Sequence, residues 1–455
     1  MIDSRPGDNA SAGDNPDSPR RPDAAAGRVR AGEPYALCLS FVYFFCVLAA
    51  YYMIRPVREQ LSAAVGSTQL PWFYGATFVA MLALAPVFGA LVSRYPRPIV
   101  VPLLNVVFIA CLLAFVPLFS PHGPLSARAL GVLFFVWVSV FNLFVVSVFW
   151  IFMSDIWSVA QARRLFPLIA LSGTAGAVAG PTLTRSLVGV VGVAQLLVVS
   201  AALLAVAVVC VVLLGRWSRR HGEKRHDVRH DAAVGGGMWD GLKQIFASPF
   251  MRSMALLLLL ADGIGTVNYA LVTDYSRAAF ADAVARTSFA ANVDLATNVL
   301  TALVQLTVTR WLLPRHGAGP TILVWALGST LMLGLVMVSA DPYAPLLAGM
   351  PAVALALIVS RGLAYGMAEP ARHSLFASMP RNIRYKGQNA VDTAVWRFGD
   401  VAIAVGMNAL RGVGATIGMF ASLSAGAAVA AGAIGWRLSR SAGIGNRDPG
   451  LDQKP

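Results

Sequence analysis

Apolar runs of about membrane-spanning length recur along this chain about a dozen times, each cut off by a short polar or basic stretch. A hydrocarbon core of about 30 Å takes roughly 20 helical residues. Within it every backbone polar group must be bonded internally, so runs of this length can only be helices. The runs fall near 35–62, 71–93, 98–119, 127–156, 166–188 and 193–214, and, after a break, near 250–276, 288–312, 319–340, 345–368, 389–410 and 414–436. The fold class expected is an all-α membrane protein of about twelve transmembrane helices. The first, fourth and seventh runs exceed what a bilayer needs, which tilt or extension beyond the membrane absorbs. Charge content agrees: Asp, Glu, Lys and Arg make up 13% of the residues, about half the share in soluble domains.

The formal net charge of +14 would suit a nucleic-acid partner, yet no nucleic-acid-reading module is present. An excess of Lys and Arg in cytoplasmic loops accounts for it instead. Arg94 and Arg97, Arg163 and Arg164, Arg310 and Arg315, and Arg381, Arg384 and Lys386 fall on one side, as do six basic residues from Arg216 to Arg229. The opposite loops carry isolated residues such as Arg128, Arg185, Arg286 and Arg411. Both termini are therefore expected in the cytoplasm, with the bacterial inner membrane as the location.

The break at 215–248 is charged, contains three histidines and ends in Gly235-Gly236-Gly237, a flexible-linker composition. A solvated loop outweighs a metal site there. The expected organisation is a disordered cytoplasmic tail (1–34), an N-terminal six-helix half (35–214), a basic linker (215–248), a C-terminal six-helix half (249–437) and a short tail (438–455). The four cysteines, Cys38, Cys46, Cys111 and Cys210, lie in apolar runs without Cys-x-x-Cys spacing, so neither a disulfide framework nor a zinc site is implied.

Chemistry is sparse. The chain has no Gly-x-x-x-x-Gly-Lys-[Ser/Thr] loop, so ATP does not drive it through that motif. No catalytic constellation stands out either, and no enzyme activity, cofactor or metal is expected. What remains are ionisable residues inside apolar runs, which are functional candidates by default. Arg55, Arg58 and Glu59 are spaced i, i+3, i+4 on one helix face, with Pro56 expected to kink the helix between them. Two readings stay open for this group: an interfacial end with Arg55 paired to Glu59 and the arginines snorkelling to headgroups, or a central site. Arginines lining a cavity suit carboxylate or phosphate through paired hydrogen bonds.

Further candidates are Asp155, Asp262, Asp274, Arg277, Asp294, Arg361, Glu369, Asp392, Arg397 and Asp400. Asp262 sits mid-run beside Gly263 and Gly265; it suits a coupling proton or a structural hydrogen bond equally. Arg58 and Asp274 sit at corresponding depths of the two halves, which favours one shared site. Asp155 and Glu369, each near the end of the fourth helix of its half, read as gate acids. Ser172, Gly176 and Gly180, four apart, read as helix packing.

Two six-helix halves with substrate between them follow the major-facilitator plan. More specifically, Phe149-Trp150-Ile151-Phe152-Met153-Ser154-Asp155-Ile156 followed by Ala162-Arg163-Arg164-Leu165-Phe166-Pro167-Leu168 resembles the ATP/ADP antiporter (nucleotide transporter) family. That family carries Phe-Trp-x-Phe-x-Asn-Glu running into Glu-Ala-Lys-Arg-Phe-Tyr-Pro-Leu. Arg55 to Leu61, Val272-Thr273-Asp274, and Lys386 through Asp392 to Arg397-Phe398-Gly399 are similar to further stretches of the family, and the order extends over all twelve spans. The resemblance implies that Arg58 stands for a nucleotide-site lysine, and Asp155 and Asp274 for glutamates. Asp400 departs from the pattern, since the family has lysine there and a reversed charge repels phosphate.

The expected function is a secondary active transporter working by alternating access, exchanging nucleotides or another anionic metabolite. Arg55, Arg58, Arg397 and Asp274 are the substrate-binding candidates, and Asp155, Asp262, Glu369 and Asp400 the gating or coupling candidates. The alternatives are a proton-coupled exporter of organic solutes, favoured by Asp262 and Asp400, and a non-transporting membrane scaffold. The expected partners are a small anionic molecule and the lipid bilayer, and the resemblance implies a monomer.

Overall fold

The computed structural model describes residues 33–94, 97–120, 123–221, 248–377 and 395–445. The expected tail, apart from residues 33 and 34, and the linker from 222 to 247 lie outside the described residues, as do Arg381, Arg384, Lys386, Asp392 and the last ten residues; residues 215–221, expected in the linker, are helical. In chain order the helices are α1 (Pro34–Val65), α2 (Leu70–Arg94), α3 (Arg97–Phe115), α4 (Ala127–Ile156), α5 (Val159–Val191), α6 (Val193–His221), α7 (Pro249–Ala279), α8 (Ala283–Val304), α9 (Arg310–His316), α10 (Ala318–Val338), α11 (Ala352–Leu363), α12 (Glu369–Ala377), α13 (Trp396–Gly412) and α14 (Ile417–Gly445). A π-helical segment joins α8 to α9 (Gln305–Thr309), and another joins α11 to α12 (Ala364–Ala368). Those four helices thus form two continuous spans, which makes twelve long helical segments among the described residues. Ten spans among the described residues, these two continuous ones included, are long and apolar enough to cross a membrane.

Side-chain chemistry sets four of the helix starts. Ser126 caps α4, Ser248 caps α7 and Asp282 caps α8, each accepting a bond from the backbone N–H three residues on. At α5 a capping box forms, with Ser158 and Gln161 each bonding the other's backbone. The helix therefore starts at Val159 rather than near 166, as the basic residues at 163 and 164 had implied. The tenth span corrects the sequence in the other direction. It starts at Ala352 instead of 345, because Pro342, Pro345 and Pro351 interrupt the helix. Residues Pro345–Leu347 and Met350–Pro351 pair there as a short antiparallel hairpin, turned at Ala348 (φ 51) and Gly349 (φ 77).

Two large apolar cores form, one from the buried residues of α1 to α6 and the other from those of α7 to α14 together with Leu70 of α2; Val304, Leu312 and Met367 form a small third cluster. The first is aromatic: Phe44 stacks on Phe149 with ring centroids 4.1 Å apart, and Trp137 stacks on Phe141. The second is rich in alanine (Ala352, Ala354, Ala356, Ala371, Ala421, Ala428, Ala431) around a buried Trp325. The cores meet where α1 packs on α7 and α8, α5 on α8, and α2 on α13. Close packing also holds α5 to α1. A side chain at Gly176 would lie 2.6 Å from the Phe45 carbonyl, and one at Gly180 would lie 2.7 Å from that of Ala49. Thr184 of α5 and Ser200 of α6 donate to the Met53 and Ala50 carbonyls of α1, one turn before Pro56.

Candidate functional site

A cavity of about 730 Å³ lies between the two cores. Its lining runs along α1 from Phe44 to Arg58, fourteen residues or about 21 Å of helix. Aromatic side chains of the N-terminal half (Tyr51, Tyr52, Phe135, Trp150) form one wall, and charged and polar side chains of α7, α8, α11, α12 and α13 form the other.

At its floor the cavity meets a buried ion cluster. Arg55 Nε lies 3.7 Å from Glu59 and 3.5 Å from Asp294 of α8, and Arg58 bonds Glu59. Arg55 is 7% and Asp294 2% exposed, so this is a dry inter-helix cluster and not the interfacial end that was one of two open readings. Arg58 rests on the Phe135 ring, its guanidinium carbon 4.6 Å from the centroid. Arg361 of α11 also reaches the floor, over the Tyr269 ring at 5.8 Å.

Along the far wall stand Asp262 of α7 and, on α13, Arg397 and Asp400. Asp400 accepts from Thr266 at 3.1 Å and pairs with Arg397 at 3.5 Å. Asp262 lies against α13 at Gly399, and its Oδ2 is buried without a partner. Nearer the start of α1, Glu369 pairs with Arg372 and lies 3.2 Å from His373. The two π segments meet beside the cavity, where Gln305 donates to the Tyr365 carbonyl and Thr309 to that of Gly366. The wide turns of π segments recur at functional sites.

Asp274 breaks the expectation of a shared central site with Arg58. It stands outside the cavity lining, at the end of the molecule where α1, α7 and α13 finish. Its place follows from its position five residues before the end of α7, where the turn after α1 meets it. Gly66 takes a left-handed φ of 89°, which swings Ser67 toward α7. The Ser67 N–H (3.1 Å) and hydroxyl (2.7 Å) then donate to Asp274. Arg411 of α13 donates both to Asp274 (2.7 Å) and to the Ser67 hydroxyl (2.6 Å). Arg277 bonds the Val65 carbonyl and Asn408 that of Thr68. Both halves are therefore tied together at this end. Tyr343 lies close by; burial, with the Asp274 carboxylate adding to it, pushes its phenol up to about 12. Asp155, in the last turn of α4, also lies off the cavity lining.

Arg55, Arg58, Arg397, Asp262, Glu369 and Asp400 thus line one cavity, whereas Asp155 and Asp274 do not. Sequence reasoning passed over Arg372, and it noted Arg411 only as an isolated loop charge. Arg411 meets Asp274 across 137 residues, and no local pattern announces such a pair.

No family model matches the chain, and no curated protein matches it in sequence. Solved structures do match. The nucleoside transporter NupG superposes with a TM-score of 0.61 at 15% identity, covering 90% of this chain and 99% of that one. The POT family transporter PepTSo gives 0.59 at 12% identity over 91% and 99% of the two chains. The inward-open xylose transporter XylE from E. coli gives 0.59 at 13% identity over 89% and 96%. The chain has the major-facilitator fold and is a multi-pass membrane protein.

Proposed function

We propose that this chain is a secondary active transporter that moves a small organic molecule through the central cavity by alternating access. One observation carries the reading. The polar ties between the halves around Asp274 close one end, while the cavity extends from the ion cluster toward the other end, which bears the basic loops. A pair of six-helix bundles, 35–214 and 249–437, rocking about this cavity would expose it to each side in turn. With the basic loops in the cytoplasm, the conformation is inward-facing in a bacterial inner membrane, with both termini inside and a monomer as the working unit. The fold neighbours, transporters of nucleosides, xylose and of the POT family, support the class of function.

Cysteines at Thr68 and Asn408 test the mechanism in a chain freed of its four native cysteines. Oxidised to a disulfide, the pair should leave an added cavity cysteine, Ser139→Cys, reachable by impermeant maleimide from the basic-loop side alone. Reduced, it should be reachable from both sides. One-sided labelling of the reduced protein would sink the proposal.

Exchange of nucleotides or another anionic metabolite is the finer reading, supported by Arg55, Arg58 and Arg397 at the cavity. Uptake of labelled ATP, ADP or phosphate into proteoliposomes preloaded with nucleotide, lost in Arg58→Ala, is its expected signature. A second reading, proton-coupled export, is favoured by Asp262 and Asp400 lying together in the cavity wall.

A further inference from the structure

The fixed charges of the cavity do not cancel locally. At the floor three arginines, Arg55, Arg58 and Arg361, face two carboxylates, Glu59 and Asp294. On the far wall two carboxylates, Asp262 and Asp400, face one arginine, Arg397. The pair Glu369–Arg372 balances itself. Among the described residues Arg361 has no carboxylate at ion-pair distance, and Asp262 has no cation there. Asp262 also keeps a buried carboxyl oxygen without any partner. With both wall carboxylates ionised, each group is one charge out of balance, with opposite sign. Uncompensated charge in a membrane interior is costly and is retained where something else supplies the counter-charge.

We infer, granting that the cavity is the substrate site, that the transported molecule is a zwitterion. Its anionic group meets Arg361 at the floor, and its cationic group meets Asp262 on the wall. The spacing narrows the class. Asp262 and Tyr269 are seven residues apart on α7, which places them on one face about 10 Å apart along the axis. Arg361 lies over the Tyr269 ring. On this placement we take the ligand's charges to stand farther apart than the ammonium and carboxylate of a single α-amino acid. The aromatic wall at Tyr52, Phe135 and Trp150 gives the apolar middle of such a molecule a surface to lie on. A nucleotide, anionic throughout, would satisfy Arg361 and be repelled by Asp262 and Asp400.

The test uses the full chain in lipid nanodiscs and the dipeptide Ala-Phe as the probe. Beside it go N-acetyl-Ala-Phe, Ala-Phe amide, the doubly blocked compound and ATP, each titrated by thermal stabilisation. The unblocked dipeptide should bind at least tenfold more tightly than either singly blocked form. Arg361→Gln should erase the preference over the amide, and Asp262→Asn the preference over the acetylated form. Arg361→Lys and Asp262→Glu, which keep the charges, should preserve the pattern and guard against misfolding. Equal stabilisation by all four peptides, stabilisation by ATP and the acetylated form alone, or no stabilisation at all would overturn the assignment. The maleimide experiment keeps the two ideas separate. Two-sided labelling without the zwitterion pattern refutes the assignment alone, and the pattern with one-sided labelling refutes the transport reading alone.

Discussion

The cavity floor and the sealed end both join the two halves through an arginine–aspartate pair, but in different media. Arg55 and Asp294 have side chains 8% and 3% exposed, whereas Arg411 and Asp274 are 22% and 31% exposed. The distances run the other way, 3.5 Å at the floor and 2.7 Å at the sealed end. Proximity is therefore a poor guide to what each pair does. A buried pair contributes little over an apolar filling, yet losing one partner strands a charge in the dry interior. A partly exposed pair loses less when broken, because water can reach the charge left behind. The floor is thus built to persist and the sealed end to open.

The largest expected effect is at the floor. Asp294→Ala should lower stability by about 3–5 kcal/mol in chemical unfolding, since Arg55 is left buried with only Glu59. Replacing both partners, as Arg55→Met with Asp294→Leu, should recover most of that. A loss in Asp294→Ala as small as at the sealed end would erase the contrast. Asp274→Asn comes next. Its stability should change by less than about 1 kcal/mol, while maleimide labelling of Thr68→Cys from the sealed side should rise severalfold. Salt sharpens the comparison further. At 1 M the screening length is about 3 Å, so wild type should approach the Asp274→Asn labelling level while the floor cluster keeps its contribution to stability.

The smallest effect is a titration beside the sealed end. Tyr343 ionises near pH 12 in the folded chain against 10 for a free phenol. Between those values the unfolded chain has released a proton that the folded chain still holds, so stability should fall as pH rises through that window. Absorbance titration of wild type against Tyr343→Phe should show one phenol ionising late. In Asp274→Asn it should ionise earlier, because the nearby carboxylate is gone.

Much of the architecture could be read from the chain because the bilayer imposes a single length and a single pattern. The twelve runs gave the spans, and Gly176 and Gly180 marked α5 as a closely packed helix without revealing α1 as its partner. The misplaced boundaries have local causes that were present in the sequence: the Ser158/Gln161 capping box, and the prolines at 342, 345 and 351. The site was half legible. A charge inside an apolar run marks itself, so Arg55, Arg58, Asp262 and Asp400 could be collected without a structure. Which charges meet could not be seen, because pairing depends on how the halves close. Asp274 was placed by depth alone, and depth does not reveal that the turn at Gly66 and Arg411 engage it at the sealed end.

That turn has an evolutionary consequence. Short loops between helices ordinarily drift in length and sequence without penalty, because little depends on their backbone. From Val65 to Thr68, however, the backbone and Ser67 receive or give bonds to Asp274, Arg277, Asn408 and Arg411. A side chain at Gly66 would collide with Arg277. One inserted residue here would displace every one of these ties at once. Lineages should therefore differ little at this turn.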